Sequence, residues 1–134
     1  MSITGIDHVA MYVADIEATC AFYDRLFGIQ VHIDYAPNGK SLVRQIKVGG
    51  AMLSVHQHGN GITPVAVNTA KGAVDMCFRW KGSVDSAVAL LKKHNVAIVE
   101  GPAPRNFSDG RPSQSVYFRD LDGNLMELMA DDSM

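Results

Sequence analysis

Three side chains able to bind a cation or move a proton stand at related places in a repeated pattern: His8, Asp75 and Glu127. His8 lies in Asp7-His8-Val9-Ala10-Met11-Tyr12-Val13, and the same alternation returns in Val74-Asp75-Met76-Cys77-Phe78-Arg79-Trp80. Carried on without a gap, the match puts Asp75 in the place of His8, Asn95 of Gly28, Val96 of Ile29 and Ile98 of Val31. Later in each copy, Gly50-Ala51-Met52-Leu53-Ser54-Val55-His56 aligns with Gly123-Asn124-Leu125-Met126-Glu127-Leu128-Met129. Ser54 is thereby the mirror of Glu127, with His56 one inward step further. Imidazole and carboxylate groups that converge on one cavity can hold an ion or serve as acid and base. A carboxylate set among Leu125, Met126, Leu128 and Met129 is also costly to bury without a cation. A duplicated fold half, paired about a pseudo-twofold axis, brings such distant groups face to face.

The elements that must position them follow from periodicity. Residues 3–13 alternate as a strand, with Val9, Met11 and Val13 on one face and His8, Ala10 and Tyr12 on the other. Asp15 is a good N-cap, Ile16, Cys20, Tyr23 and Phe27 repeat at helical spacing, and Gly28 suits a left-handed terminus. These predict a helix over about 16–27. Strands are expected at 29–33, 42–48 and 52–56, turned by Pro37-Asn38-Gly39 and Gly49-Gly50. After an aperiodic connector over 59–72, the order repeats: a strand at 74–80, a helix capped by Ser83 and ended at Asn95, and a short strand at 96–99. Residues 101–112, with Pro102, Pro104 and Pro112, read as a polar loop carrying Arg105 and Arg111, either a lid or a plain surface loop. Residues 115–119 and 125–129 form a hairpin turned by Asp120-Leu121-Asp122-Gly123-Asn124. The fold class is therefore α+β: two tandem βαβββ modules, repeats at about 3–57 and 73–130, in one domain over 1–134. The expected form is a curved, cup-shaped mixed sheet with helices on its outer face.

Composition narrows the function. At 134 residues, 47% hydrophobic and 19% charged, the chain can build a core. A net charge of −2 without a basic stripe argues against nucleic acid as partner. No stretch reaches the roughly 20 apolar residues of a membrane span, and the first residues lack a signal-peptide pattern, so cytoplasmic residence is expected. Cys20 and Cys77 read as two reduced, buried thiols. His32 and His94 read as surface residues.

The chain resembles the vicinal oxygen chelate superfamily, which holds glyoxalase I, fosfomycin-resistance and bleomycin-resistance proteins and extradiol dioxygenases. The resemblance rests on Ile6-Asp7-His8-Val9, on Phe22-Tyr23-Asp24-Arg25-Leu26-Phe27-Gly28, and on the run from Tyr117 to Leu128. It is greatest with the short glyoxalase-domain members. It implies a divalent metal, Ni, Zn, Mn, Fe or Co, that chelates two neighbouring oxygens of a small-molecule substrate. His8 and Glu127 are the implied ligand pair, with Asp75 and His56 beside them. Two positions depart from the pattern: Ser54 stands where glyoxalase I has a carboxylate, and Asp75 replaces the usual histidine. His56 fills the place of Ser54 if its strand carries a bulge.

Glu127 also has the chemistry of a catalytic base. Tyr117 either donates to a substrate oxygen or packs. Arg119 either binds a carboxylate or phosphonate or pairs with Asp120 or Asp122. Lactoylglutathione-lyase-like isomerisation is the leading activity implied by the resemblance; the alternatives are an extradiol ring-cleavage dioxygenase and a non-catalytic binding or resistance protein. Relatives of this size generally pair as homodimers, which is expected here too.

Overall fold

A computed structural model describes residues 2–132. They fall into two compact units, one up to Gly72 and one from Ala73. In the first, β1 (His8–Val13), α1 (Ile16–Phe27), β2 (Val31–Tyr35), β3 (Val43–Val48) and β4 (Ala51–Gln57) follow one another. The second repeats the order with β5 (Asp75–Lys81), α2 (Val84–Lys93), β6 (Ile98–Asn106), β7 (Pro112–Arg119) and β8 (Leu125–Asp131). The chain is thus two tandem βαβββ modules, each with one open four-stranded mixed sheet.

In the first unit the strand order is β1-β4-β3-β2, with β1 parallel to β4 and the remaining neighbours antiparallel. Asp15 caps α1 by accepting from the Ala18 amide at 3.1 Å, and Gly28, at φ 68°, ends it while donating to the Asp24 carbonyl. Ile16, Cys20, Phe22, Tyr23 and Leu26 form the buried stripe of this helix. The sheet meets it with Met11, Val13, Ile46, Leu53 and Val55, all buried, and each such side chain contributes about 1.5–3 kcal/mol of burial. Val9 shares their parity but stands beyond this cover and is exposed. At the edge of the helix, Gln57 locks strand to cap: its Oε1 accepts from the Ile16 amide and its Nε2 donates to the Ala14 carbonyl.

The second unit has the order β5-β8-β7-β6 with the same parallel first pair. Ser83 caps α2 by accepting from the Ser86 amide, and Asn95, at φ 57°, takes the left-handed position that Gly28 holds in the first module. Ala87 and Leu91 are buried with Val116, Phe118, Met126 and Leu128.

Three expectations need correction. Residues 101–112 are not one loop: β6 runs to Asn106 and β7 starts at Pro112. Prolines are admitted because β6 is an edge strand and Pro112 is the first residue of β7, where no ladder donor is missed. The β6 pairing also shifts register between Glu100 and Ala103, around Gly101. A Cβ on Gly101, at φ 108°, would lie 2.5 Å from the Ser115 carbonyl oxygen, so this irregularity requires glycine. Second, β4 pairs without interruption from Ala51 to Gln57, so no bulge moves His56 into the place of Ser54. Third, Cys20 is buried as expected, but Cys77 is exposed, because it sits on the face of its sheet away from α2.

Candidate functional site

Sheet parity puts the first group of candidates on the helix-free face of the first unit. Across the β1–β4 pair, His8 lies opposite Met52, Ala10 opposite Ser54 and Tyr12 opposite His56. His8 Nδ1 lies 2.9 Å from Asp7 Oδ1. As a carboxylate accepts, Nδ1 is the donor in this exposed contact between adjacent residues, and in the neutral ring Nε2 is the nitrogen turned to an external partner. The Tyr12 and His56 rings stand 4.9 Å apart, and the Asn60 amide lies 3.4 Å from His56 Nδ1. Burial, and then the nearby His8 imidazole, hold the His56 ring below the usual histidine range. Ser54 is buried and its Oγ accepts from Gln45 Nε2 at 3.1 Å. The β1, β4 and β3 positions of this face are His8, Ala10, Tyr12, Met52, Ser54, His56, Lys47, Gln45 and Val43, without a carboxylate.

The second group lies on the helix-free face of the second unit. Glu127 is flanked by Cys77 of β5 and Tyr117 of β7, its cross-strand partners. It is half-buried rather than enclosed, because Met126 and Leu128 point to the opposite face. The sequence argument that its burial demands a cation is weakened to that extent. Although Cys77 as a residue is exposed, desolvation of its sulfur by the sheet, and then the charge of Glu127, push the thiol up to about 11. The Tyr117 phenol is raised by burial against the lowering effect of Arg105. Asp75 is exposed, opposite Leu125. Arg79 does not serve it: Arg79 lies 4.0 Å from the buried Asp131 and over the Phe107 ring. Arg119 donates to the Gly123 carbonyl at 3.1 Å and is exposed.

Each unit thus gathers its own candidates, His8 with His56 in one and Asp75, Glu127, Tyr117 and Arg119 in the other. Neither unit groups three His, Cys, Asp or Glu side chains as metal holders among its described residues. The donors nonetheless suit a divalent ion. An imidazole steadied at Nδ1 by a carboxylate is the common outer arrangement of a metal-binding histidine, and the Glu127 carboxylate stands between Cys77 and Tyr117.

Three participants were not singled out from the sequence. Asp7 adjoins His8 and carried no distinguishing signal. Cys77 was placed on the correct face but read as packing. Arg105 lies in the stretch read as a loop, and strict two-residue alternation would set it on the face opposite Glu100; the register shift between Glu100 and Ala103 brings both to Tyr117, a feature without a sequence signal.

The sequence profile described as Glyoxalase/Bleomycin resistance protein/Dioxygenase superfamily matches residues 5–128. Virulence protein STM3117 of Salmonella typhimurium is 32% identical over 96% of this chain and 85% of its own length. Its crystal structure superposes with a TM-score of 0.85, covering 97% of this chain and 98% of that one. The glyoxalase domain-containing protein RDO1 of Mycosarcoma maydis is 34% identical over 96% of this chain and 69% of its own. Metallothiol transferase FosB of Staphylococcus epidermidis is 26% identical over 96% of this chain and 82% of its own.

Proposed function

The chain belongs to the glyoxalase/bleomycin resistance protein/dioxygenase superfamily, and from that premise we propose that it is a metal-dependent enzyme acting on neighbouring oxygens of a small molecule. The observation that carries the reading is the pairing of His8 with Asp7, which leaves Nε2 as a steadied donor. His8 in the first unit and Glu127 in the second are the proposed metal donors, with His56 and Asp75 as further donors in their respective units. A bound divalent ion would polarise a substrate oxygen and stabilise negative charge developing on it. Tyr117 would direct a hydrogen bond to a substrate oxygen, with Glu127 as its cross-strand partner on β8.

Between specific chemistries, the Ser54 position supports one reading over the other. Isomerisation of the lactoylglutathione-lyase kind requires a base beside the carbon acid. The serine is buried and bonded to Gln45, so Glu127 would have to act as that base itself. Addition of a nucleophile that is already anionic, such as a thiolate, makes no such demand. The name of the FosB relative, a metallothiol transferase, supports this second reading.

Metal loading tests the proposal first. Untagged protein incubated with Mn(II), Ni(II), Zn(II), Co(II) or Fe(II) should retain one ion per site by elemental analysis, and His8→Ala should release it. Loaded protein is then assayed with the hemithioacetal of methylglyoxal, a catechol, and a thiol with an epoxide. Substoichiometric metal under every condition would remove the enzymatic reading and leave a binding protein.

A further inference from the structure

Tyr117 lies between two charged groups that together impose a direction on its hydroxyl. Arg105 Nε donates to the phenolic oxygen at 2.8 Å, and the guanidinium carbon stands 5.3 Å from the ring centroid. Arg105 is itself fixed, with Nη2 donating to Glu100 at 2.7 Å and Nη1 to the Pro104 carbonyl at 2.7 Å. A guanidinium has five donors, no acceptor, and keeps its proton throughout the ordinary pH range. The phenolic oxygen is therefore the acceptor on that side, and its own proton has to leave in another direction. Directly across the β7–β8 pair stands Glu127, whose carboxylate can only accept. Glu100, Arg105 and Tyr117 thus form a hydrogen-bonded row of fixed polarity over β6 and β7, with Glu127 as the facing carboxylate on β8.

We propose that Arg105 is a positioning residue: by donating to Tyr117 it commits the phenol to giving its hydrogen bond, to Glu127 in the free protein and to a substrate oxygen when one arrives. This rests on the reading that Glu127 belongs to the metal and substrate site. It also narrows the substrate. The atom that meets Tyr117 is an acceptor bearing negative or partial negative charge, such as a carbonyl, epoxide, alkoxide or phosphonate oxygen. A group offering only donors is rejected, because two donors would then face each other without an acceptor. Three of the five Arg105 donors are engaged, by Glu100, Pro104 and Tyr117, which fixes the guanidinium in place.

The test uses the full chain as wild type, Arg105→Met, Arg105→Lys, Tyr117→Phe and the Met/Phe double variant. Methionine keeps the stem of Arg105 over the ring while removing the donor. In metal-free protein, urea unfolding constants should change less in the double variant than the product of the two single changes, by at least roughly threefold. Additive effects overturn the row. Co(II)-loaded protein gives the second readout, since Glu127 would lie in the ion's coordination sphere. Tyr117→Phe and Arg105→Met should shift the visible Co(II) absorption in the same direction, with Arg105→Lys returning towards wild type. A wild-type spectrum in Arg105→Met would show that Arg105 is merely structural and would overturn the proposal. If wild-type protein takes up no Co(II), the metal reading is what fails, and the metal-free cycle alone decides whether the row exists.

Discussion

Replacing Asn124 by alanine should cost about 3 kcal/mol of stability without touching any candidate site residue. Asn124 is fully enclosed, at 0% exposed. Its Oδ1 accepts from the Val74 amide at 2.9 Å, and its Nδ2 donates to both oxygens of the buried Asp120 carboxylate at 3.1 and 2.9 Å. Asp120 also accepts from the amides of Asp122 and Asn124, so the whole Asp-Leu-Asp-Gly-Asn turn is organised round one carboxylate. Through Val74 the turn fixes the start of β5 against the start of β8, where Val74 in turn accepts from the Leu125 amide. Alanine leaves the Val74 N–H without its acceptor, at about 1–3 kcal/mol, and takes a charge-assisted bond from Asp120, worth about 1.5–3 kcal/mol. Taking values between these limits, with some relaxation, gives about 3 kcal/mol. With an unfolding entropy of about 2.1 cal/mol/K per residue, that lowers Tm by roughly 10 °C. Calorimetry or urea unfolding reads the loss, and amide exchange at Val74 should accelerate in the variant. A loss below about 1 kcal/mol with unchanged exchange at Val74 would show that the turn does not clamp the parallel pair.

Other expectations follow from the same geometry. Asp7→Asn should weaken divalent-metal binding about 10-fold by calorimetric titration while leaving the fold intact by circular dichroism; unchanged affinity would deny Asp7 its orienting part. Cys77, despite exposure, should react slowly with iodoacetamide at pH 8, with a rate rising about tenfold per pH unit until about pH 11, followed by peptide mass mapping. Glu127→Gln should speed that reaction at pH 8, because the carboxylate's charge raises the thiol; no acceleration would contradict the cause assigned. A thiol held above its ordinary value favours folding below about pH 9 and loses that contribution as pH rises through about 11. Gly101→Ala should destabilise by about 1–3 kcal/mol, since its Cβ would collide with backbone at Ser115 and Val116; wild-type Tm in this variant would show that β6 can shift at no cost.

The sequence was most legible where local chemistry and burial agree. The limits of α1 could be read from Asp15 and Gly28 because cap and terminator are short-range signals that the apolar stripe reinforces. Strand parity on β1, β5 and β8 was also readable, since a one-residue slip would turn Met11, Val13, Met126 and Leu128 away from their helices. The stretch from Gly101 to Pro112 was not. Prolines signal a break on local grounds, and only the sheet order shows that β6 is an edge where a missing N–H is harmless. That misreading hid Arg105, whose partnership with Tyr117 depends on two strands running side by side. The burial of Glu127 was overestimated for a related reason: its apolar neighbours in sequence point to the other face of the sheet.

In both sheets the first strand of the module pairs only with the last, β1 with β4 and β5 with β8. During synthesis β5 therefore leaves the ribosome with no neighbour, and it waits for some fifty further residues before β8 can zip beside it. Chaperone capture or premature release in that interval would act on a bare strand carrying Asp75, Cys77 and Arg79. The second module thus completes its sheet last: nascent chains halted before Leu125 hold Tyr117 and Arg105 but lack the Glu127 that stands across from Tyr117.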